Sequence, residues 1–153
     1  MARLAGECDN IVAIKDSSAD LKQTIDYIGA CPEGFDVIAG HDSLILATLV
    51  HGGVAAMAAA ANVIPELPLD LFRCFEAGEY RRAAQLQLQV AALREALFLG
   101  SFPVGVKEAV AWSGLPAGPA RSPLQPLREI EKRQLVTVLE QVAPPAESGG
   151  PSD

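Results

Sequence analysis

What this chain has little of narrows its chemistry before any motif is considered. Basic residues are scarce, with 12 Lys and Arg against 19 Asp and Glu in 153 residues, for a formal net charge of -7. Phosphate backbones and anionic bilayers are held by concentrated positive charge, so neither a nucleic acid nor a membrane surface is expected as partner. Cysteine is rarer still: Cys8, Cys31 and Cys74 are widely spaced, form no CxxC, and are accompanied by two histidines, His41 and His51. Such a set offers no structural zinc site and no disulfide framework. No GxGxxG or GxxxxGK[ST] pattern occurs, which disfavours nucleotides. The opening residues lack an apolar signal core, and a cytoplasmic protein with reduced thiols is the expectation.

Half of the residues are hydrophobic and a fifth are charged, a balance that folds and buries a core. The length suits one ordinary domain. The longest apolar stretch, residues 43–64, is long enough for the ~20 residues of a membrane span. His51, Gly52, Gly53 and Asn62 interrupt it, so a buried helix, a turn and a strand in succession are expected instead.

Periodicity organises the first half. Asn10 to Lys15 is an almost unbroken apolar run with β-branched residues, which predicts a strand buried on both faces of a parallel sheet. Leu21, Thr24, Ile25 and Ile28 then fall at helical spacing, with Ser18 or Asp20 as N-cap. Phe35 to Ala39 predicts a second strand ending at Gly40, and Leu44 to Val50 a helix that Asp42 and Ser43 can cap. Val54 to Met57 is a third strand. Three strand–helix repeats at this interval signify βαβ units and a parallel sheet.

After Asn62 the strands stop. Helices are predicted from Pro65, from about Glu79 to Leu99 with Tyr80, Ala83, Leu86, Val90, Leu93 and Leu97 on one face, from Val104 to Ser113, and from Glu129 to Val142. Residues 114–126 read as an irregular loop and 144–153 as a disordered polar tail. Three strands do not close a sheet, and open parallel edges invite further pairing. Further strands on the N-terminal side are therefore expected, from a longer parent chain or a partner.

Lys15 is the sharpest chemical candidate. Desolvation at the end of an apolar strand disfavours the ammonium and favours the free amine, which attacks carbonyls. The plain alternative is a lysine snorkelling to the surface. Gly40 either lets a ligand approach the backbone or makes the turn into the next helix. His41 and Asp42 either touch substrate or cap; for Asp42, capping is the stronger reading. Ser17 and Ser18 follow Lys15 and either orient a water or cap a helix, and His51 reads as a helix C-cap or surface residue.

NIVAIKDSS, from Asn10 to Ser18, resembles the sixth strand of the dihydrodipicolinate synthase and N-acetylneuraminate lyase family. The resemblance continues through IAGHD (38–42), GGVAAMAAAANVIPE (52–66), FPVGVKEAV (102–110) and RSPLQPL (121–127), five fragments in order. It implies an α/β fold, the C-terminal part of a (β/α)8 TIM barrel, with strands six to eight in residues 1–62 and the last barrel helix and a helical layer in 63–143. It also implies a class I lyase or aldolase in which Lys15 forms a Schiff base with pyruvate or a related 2-oxo acid, an aldehyde being the second reactant and no metal or organic cofactor being required. Gly40 and Met57 would sit at the substrate, Met57 where family members often carry isoleucine or valine, and a homo-oligomer is implied. The family's carboxylate-binding hydroxyl pair and proton-relaying tyrosine belong to strands expected upstream; Tyr27 and Tyr80 match neither position. Two rival expectations stand beside this one: an inert remnant lacking strands one to five, and a small α/β binding module.

Overall fold

In the computed structural model, which describes residues 1–143, a short sheet and a thicker helical layer share one core. The chain runs α1 (Ala2–Glu7), β1 (Ala13–Asp16), α2 (Leu21–Ala30), β2 (Asp36–Ala39), α3 (Ile45–Val50), β3 (Ala55–Ala56), α4 (Glu66–Glu76), α5 (Tyr80–Leu97), α6 (Val104–Trp112) and α7 (Glu129–Val142). Single 3-10 turns at Asp42–Leu44 and Ala60–Asn62 follow β2 and β3. The expected polar tail, 144–153, lies outside the described residues.

The three strands are parallel in the order β1-β2-β3, with Lys15 opposite Ile38 and Ile38 opposite Ala55. Each strand is followed by a helix or helical turn, as the repeats predict. The strands are shorter than predicted, and β1 differs in burial. The ladder starts at Ala13, although the Val12 carbonyl already accepts from the Asp36 amide at 2.9 Å. β1 lies at the sheet edge with its residues half-buried or exposed and only Asp16 buried; Val12 is 62% exposed. The expectation of a strand buried on both faces is thus corrected: among the described residues, no strand pairs with the outer side of this edge. Burial belongs instead to the central strand β2, where Val37 and Ala39 are in the core.

The core continues from β2 and α3 into the helical layer. Ile45 and Leu49 of α3 meet Leu71 of α4 and Val90, Leu93 and Leu97 of α5, and Leu135 and Leu139 of α7 close the far side. The buried stripe of α5 is Ala83, Val90, Leu93, Ala96 and Leu97. Tyr80, expected on that face, is exposed and leans on the Phe75 ring. At Gly105 the backbone of α6 comes so close to the Leu97 carbonyl that a Cβ would overlap it, so the α5–α6 corner tolerates no side chain there.

Asp42 does not cap α3. Its carboxylate, 3% exposed, accepts from the amides of Ala59 at 3.0 Å and Ala60 at 2.8 Å, 17 and 18 residues further on. Gln87 of α5 serves α3 instead: its side-chain oxygen accepts from the Leu46 amide at 2.8 Å and its nitrogen donates to the Asp42 carbonyl at 2.9 Å. Ser43 makes no capping bond. The loops after β2 and β3 are tied to each other and to α5.

Replacing Asp42 by Ala strands two amides, one of them buried with Asp42, and is expected to lower stability by about 2–3 kcal/mol. Chemical denaturation measures it; a loss under ~0.5 kcal/mol would show that the cross-loop cap contributes little.

Candidate active site

Parallel strands put all their C-terminal ends on one side of a sheet, and the loops there converge. In this chain Lys15 and Ser17 after β1, Gly40 and His41 after β2, and Met57 after β3 line one cavity of about 600 Å³. The structure therefore brings together the three residues that the resemblance singles out.

Side chains alternate across a strand, so the fate of Asp16 fixes that of Lys15. Asp16 is buried against α2, where its carboxylate accepts from the Thr24 hydroxyl at 2.7 Å, the Ser18 amide at 3.0 Å and the Gln23 side chain at 3.2 Å. Burial pushes the Asp16 carboxyl up, and the hydrogen bonds from Thr24, Ser18 and Gln23 outweigh it, holding the group below its ordinary value. With Asp16 anchored, Lys15 faces the cavity. It is exposed there, so the desolvation expected of it is not supplied by the described residues.

Gly40 is a glycine for a reason the sequence left out. Its amide donates to the Asp16 carbonyl at 2.7 Å, and a Cβ built on it would overlap the Ser17 hydroxyl and lie 2.7 Å from that carbonyl. The close approach is between two strand ends, and no positive φ is involved. Ser17 thus packs on Gly40. Ser18 does not cap α2: its hydroxyl accepts from the Asp20 amide at 3.1 Å, and Asp20 is the cap, through the Lys22 amide at 2.9 Å.

Met57 continues β3 by donating its amide to the Ala39 carbonyl at 2.8 Å, and its side chain, 55% exposed, stands at the rim. His41 is half-buried with Nδ1 unpartnered among the described residues; burial, and then the charge of Arg94, push its imidazole below the ordinary value. His51 ends α3 and is exposed, its Nδ1 within 2.7 Å of the Ala47 carbonyl, as a C-cap should be. Tyr27 and Tyr80 do not line the cavity.

Sequence reasoning missed the opposite wall. Arg94 and Phe98 of the α5 end, and Phe102 beyond it, complete the lining. The Arg94 guanidinium carbon lies 4.0 Å from the Phe98 ring centroid, and Phe98 stacks on Phe102 at 4.8 Å. The available signal was an Arg four residues before a Phe on a helix read only for its apolar stripe. Among the described residues no group of three His, Cys, Asp or Glu is arranged to hold a metal ion, and no helix is long and apolar enough to cross a membrane.

Two predictions follow from the strand ends. Gly40→Ala must push β1 from β2 and is expected to cost about 1–3 kcal/mol, read by denaturation together with shifts of the Lys15 and Asp16 amide resonances. Because the Asp16 carboxyl is held below its ordinary value, it adds stability above that value, and the contribution drains away as pH falls through the lowered one. Asp16→Asn should therefore flatten the acid limb of the stability profile; an unchanged limb would contradict it.

Comparison with known proteins gives one answer. A sequence model described as the Dihydrodipicolinate synthetase family matches residues 1–142. The 4-hydroxy-tetrahydrodipicolinate synthase of Methanopyrus kandleri is 37% identical over 134 residues, 88% of this chain and 45% of that protein. That of Moorella thermoacetica is 40% identical over 139 residues, 91% of this chain and 47% of its own. Among solved structures, a dihydrodipicolinate synthase from Bacillus anthracis matches with a TM-score of 0.87 at 33% identity, over 91% of this chain and 47% of that one. A prophage protein of the same family from E. coli K12, solved with pyruvate, matches with a TM-score of 0.85 at 28% identity, over 92% and 49%. The chain spans about half the length of the curated relatives it matches. With the family pattern running through nearly all of it, the chain belongs to the dihydrodipicolinate synthetase family.

Proposed function

We propose that Lys15 is the nucleophile of a class I lyase or aldolase acting on pyruvate or a related 2-oxo acid. The observation that carries this is the convergence of Lys15, Gly40 and Met57 on one cavity at the C-terminal ends of parallel strands. Support also comes from the 4-hydroxy-tetrahydrodipicolinate synthases among the relatives and from the prophage relative solved with pyruvate. In this reading β1, β2 and β3 are strands six, seven and eight of a (β/α)8 barrel, residues 1–62 are its incomplete barrel portion, and 63–143 its last helix and C-terminal layer.

The chemistry runs through the amine. Nζ of Lys15 adds to the keto carbon, water leaves, and a protonated imine results. The imine withdraws electrons from the adjacent carbon, whose proton is lost to give an enamine. That enamine adds to an aldehyde carbonyl; in reverse, a 4-hydroxy-2-oxo acid is cleaved. The imine is itself the electron sink. The amides flanking Gly40 and Met57 are the backbone groups next to the bound oxo acid, so a methionine at 57 alters the shape of the pocket rather than its hydrogen bonds.

The exposure of Lys15 favours a second reading, in which the 153-residue chain binds oxo acids without reacting by itself. Reduction with borohydride in the presence of pyruvate separates the two. The expected result is a single adduct, located by peptide mass on Lys15 and lost in Lys15→Ala. An adduct on Lys22, Lys107 or Lys132, or none in a chain shown to be folded by circular dichroism, contradicts the proposal.

A further inference from the structure

We propose that Arg94 is a specificity-determining residue of this cavity, and that it selects a 2-oxo acid whose far end carries a second carboxylate. The inference deepens the reading of Lys15 as the imine-forming group and rests on it for the position of the reacting carbonyl.

Four residues bring charge or a titratable group to the cavity: Lys15, His41, Asp42 and Arg94. Asp42 is committed elsewhere, its carboxylate buried and accepting from two backbone amides. His41 is pushed towards its neutral form by burial and by Arg94 itself. Two cations therefore remain. Lys15 sits on the strand side, and Arg94 on α5 in the helical wall. If Lys15 is consumed by the carbonyl, Arg94 is the cation left to meet a second anion.

Its guanidinium is prepared for that task. The side chain is 18% exposed and its plane is set against Phe98, which Phe102 backs in turn. Fixing the fork in advance reduces the rotamer freedom that binding must remove. One donor, Nη1, bonds the neighbouring Glu95 at 2.9 Å, a pair whose carboxylate is 73% exposed and therefore weakly held. The other guanidinium donors have no partner among the described residues. A planar fork of this kind binds a carboxylate through two parallel hydrogen bonds. The cavity, at about 600 Å³, also has room for a molecule longer than three carbons.

The test uses the complete 153-residue chain. Half-maximal borohydride trapping at Lys15 is measured for pyruvate, for the dicarboxylic acids 2-oxoglutarate and 2-oxoadipate, and for their monocarboxylic counterparts 2-oxopentanoate and 2-oxohexanoate. At least one dicarboxylic acid is expected to trap at about tenfold lower concentration than its counterpart, the scale of a hydrogen bond to a charged group. Arg94→Gln should erase that advantage, bringing each dicarboxylic acid level with its monocarboxylic counterpart, and Arg94→Lys should restore part of it. No advantage in the wild type, or an equal loss for every acid in Arg94→Gln, overturns the proposal. If no acid is trapped at all, the Lys15 reading fails by itself. Arg94 is then judged by titrating glutarate, which has no carbonyl, while following the Phe98 and Phe102 ring resonances. Shifts that disappear in Arg94→Gln support anion recognition there; their absence in the wild type overturns it.

Discussion

The contact on which the site depends is the one between the carboxyl ends of β1 and β2. The Gly40 amide reaches the Asp16 carbonyl, and the absence of a Cβ lets the Ser17 hydroxyl fill the space beside it. Because Asp16 is held from below by Thr24, Ser18 and Gln23, the strand has no freedom to rotate, and its next side chain back, Lys15, is delivered to the opposite face. A buried, fully bonded carboxylate one residue from the proposed nucleophile is thus a positioning device. It fixes direction while its oxygens are taken up by Thr24, Gln23 and the Ser18 amide.

A second tie holds the cavity's other wall. Asp42 joins the loops after β2 and β3, and Gln87 joins the first of these to α5. These bonds span 17 to 45 residues, so they close the layer in three dimensions rather than along the chain. Arg94 inherits its place from that clamp, two turns further along the same helix, with Phe98 just past the helix end and Phe102 beyond it. Hydrophobic packing of α5 against α4 and α7 supplies the bulk of the support, while the polar ties set the register between sheet and helices.

Much of this was legible in the sequence for a simple reason. Short unbroken apolar runs rich in β-branched residues mark strands and amphipathic runs of period 3.6 mark helices, so the strand–helix alternation and the helical second half could be read from Asn10 to Val142. Lys15, Gly40 and Met57 were singled out by short motifs, and they do meet at one cavity. What could not be read depends on contacts distant in sequence. Nothing near Gly40 shows that its neighbour is the Asp16 carbonyl, and nothing near Asp42 shows that its partners are the amides of Ala59 and Ala60. The apolar run at β1 misled for a related reason: hydrophobicity reports that a strand wants covering, while its burial in this chain depends on what else is packed beside it.

The account reduces to an amine held at the meeting point of three strand ends, open to a carbonyl arriving from the cavity. The most direct measurement is a crystal structure of the chain grown with pyruvate. Continuous density from Nζ of Lys15 to the second carbon of the ligand, with the ligand lying beside Gly40 and Met57, is the predicted result. A lysine turned away into solvent, with pyruvate bound elsewhere, would contradict the account.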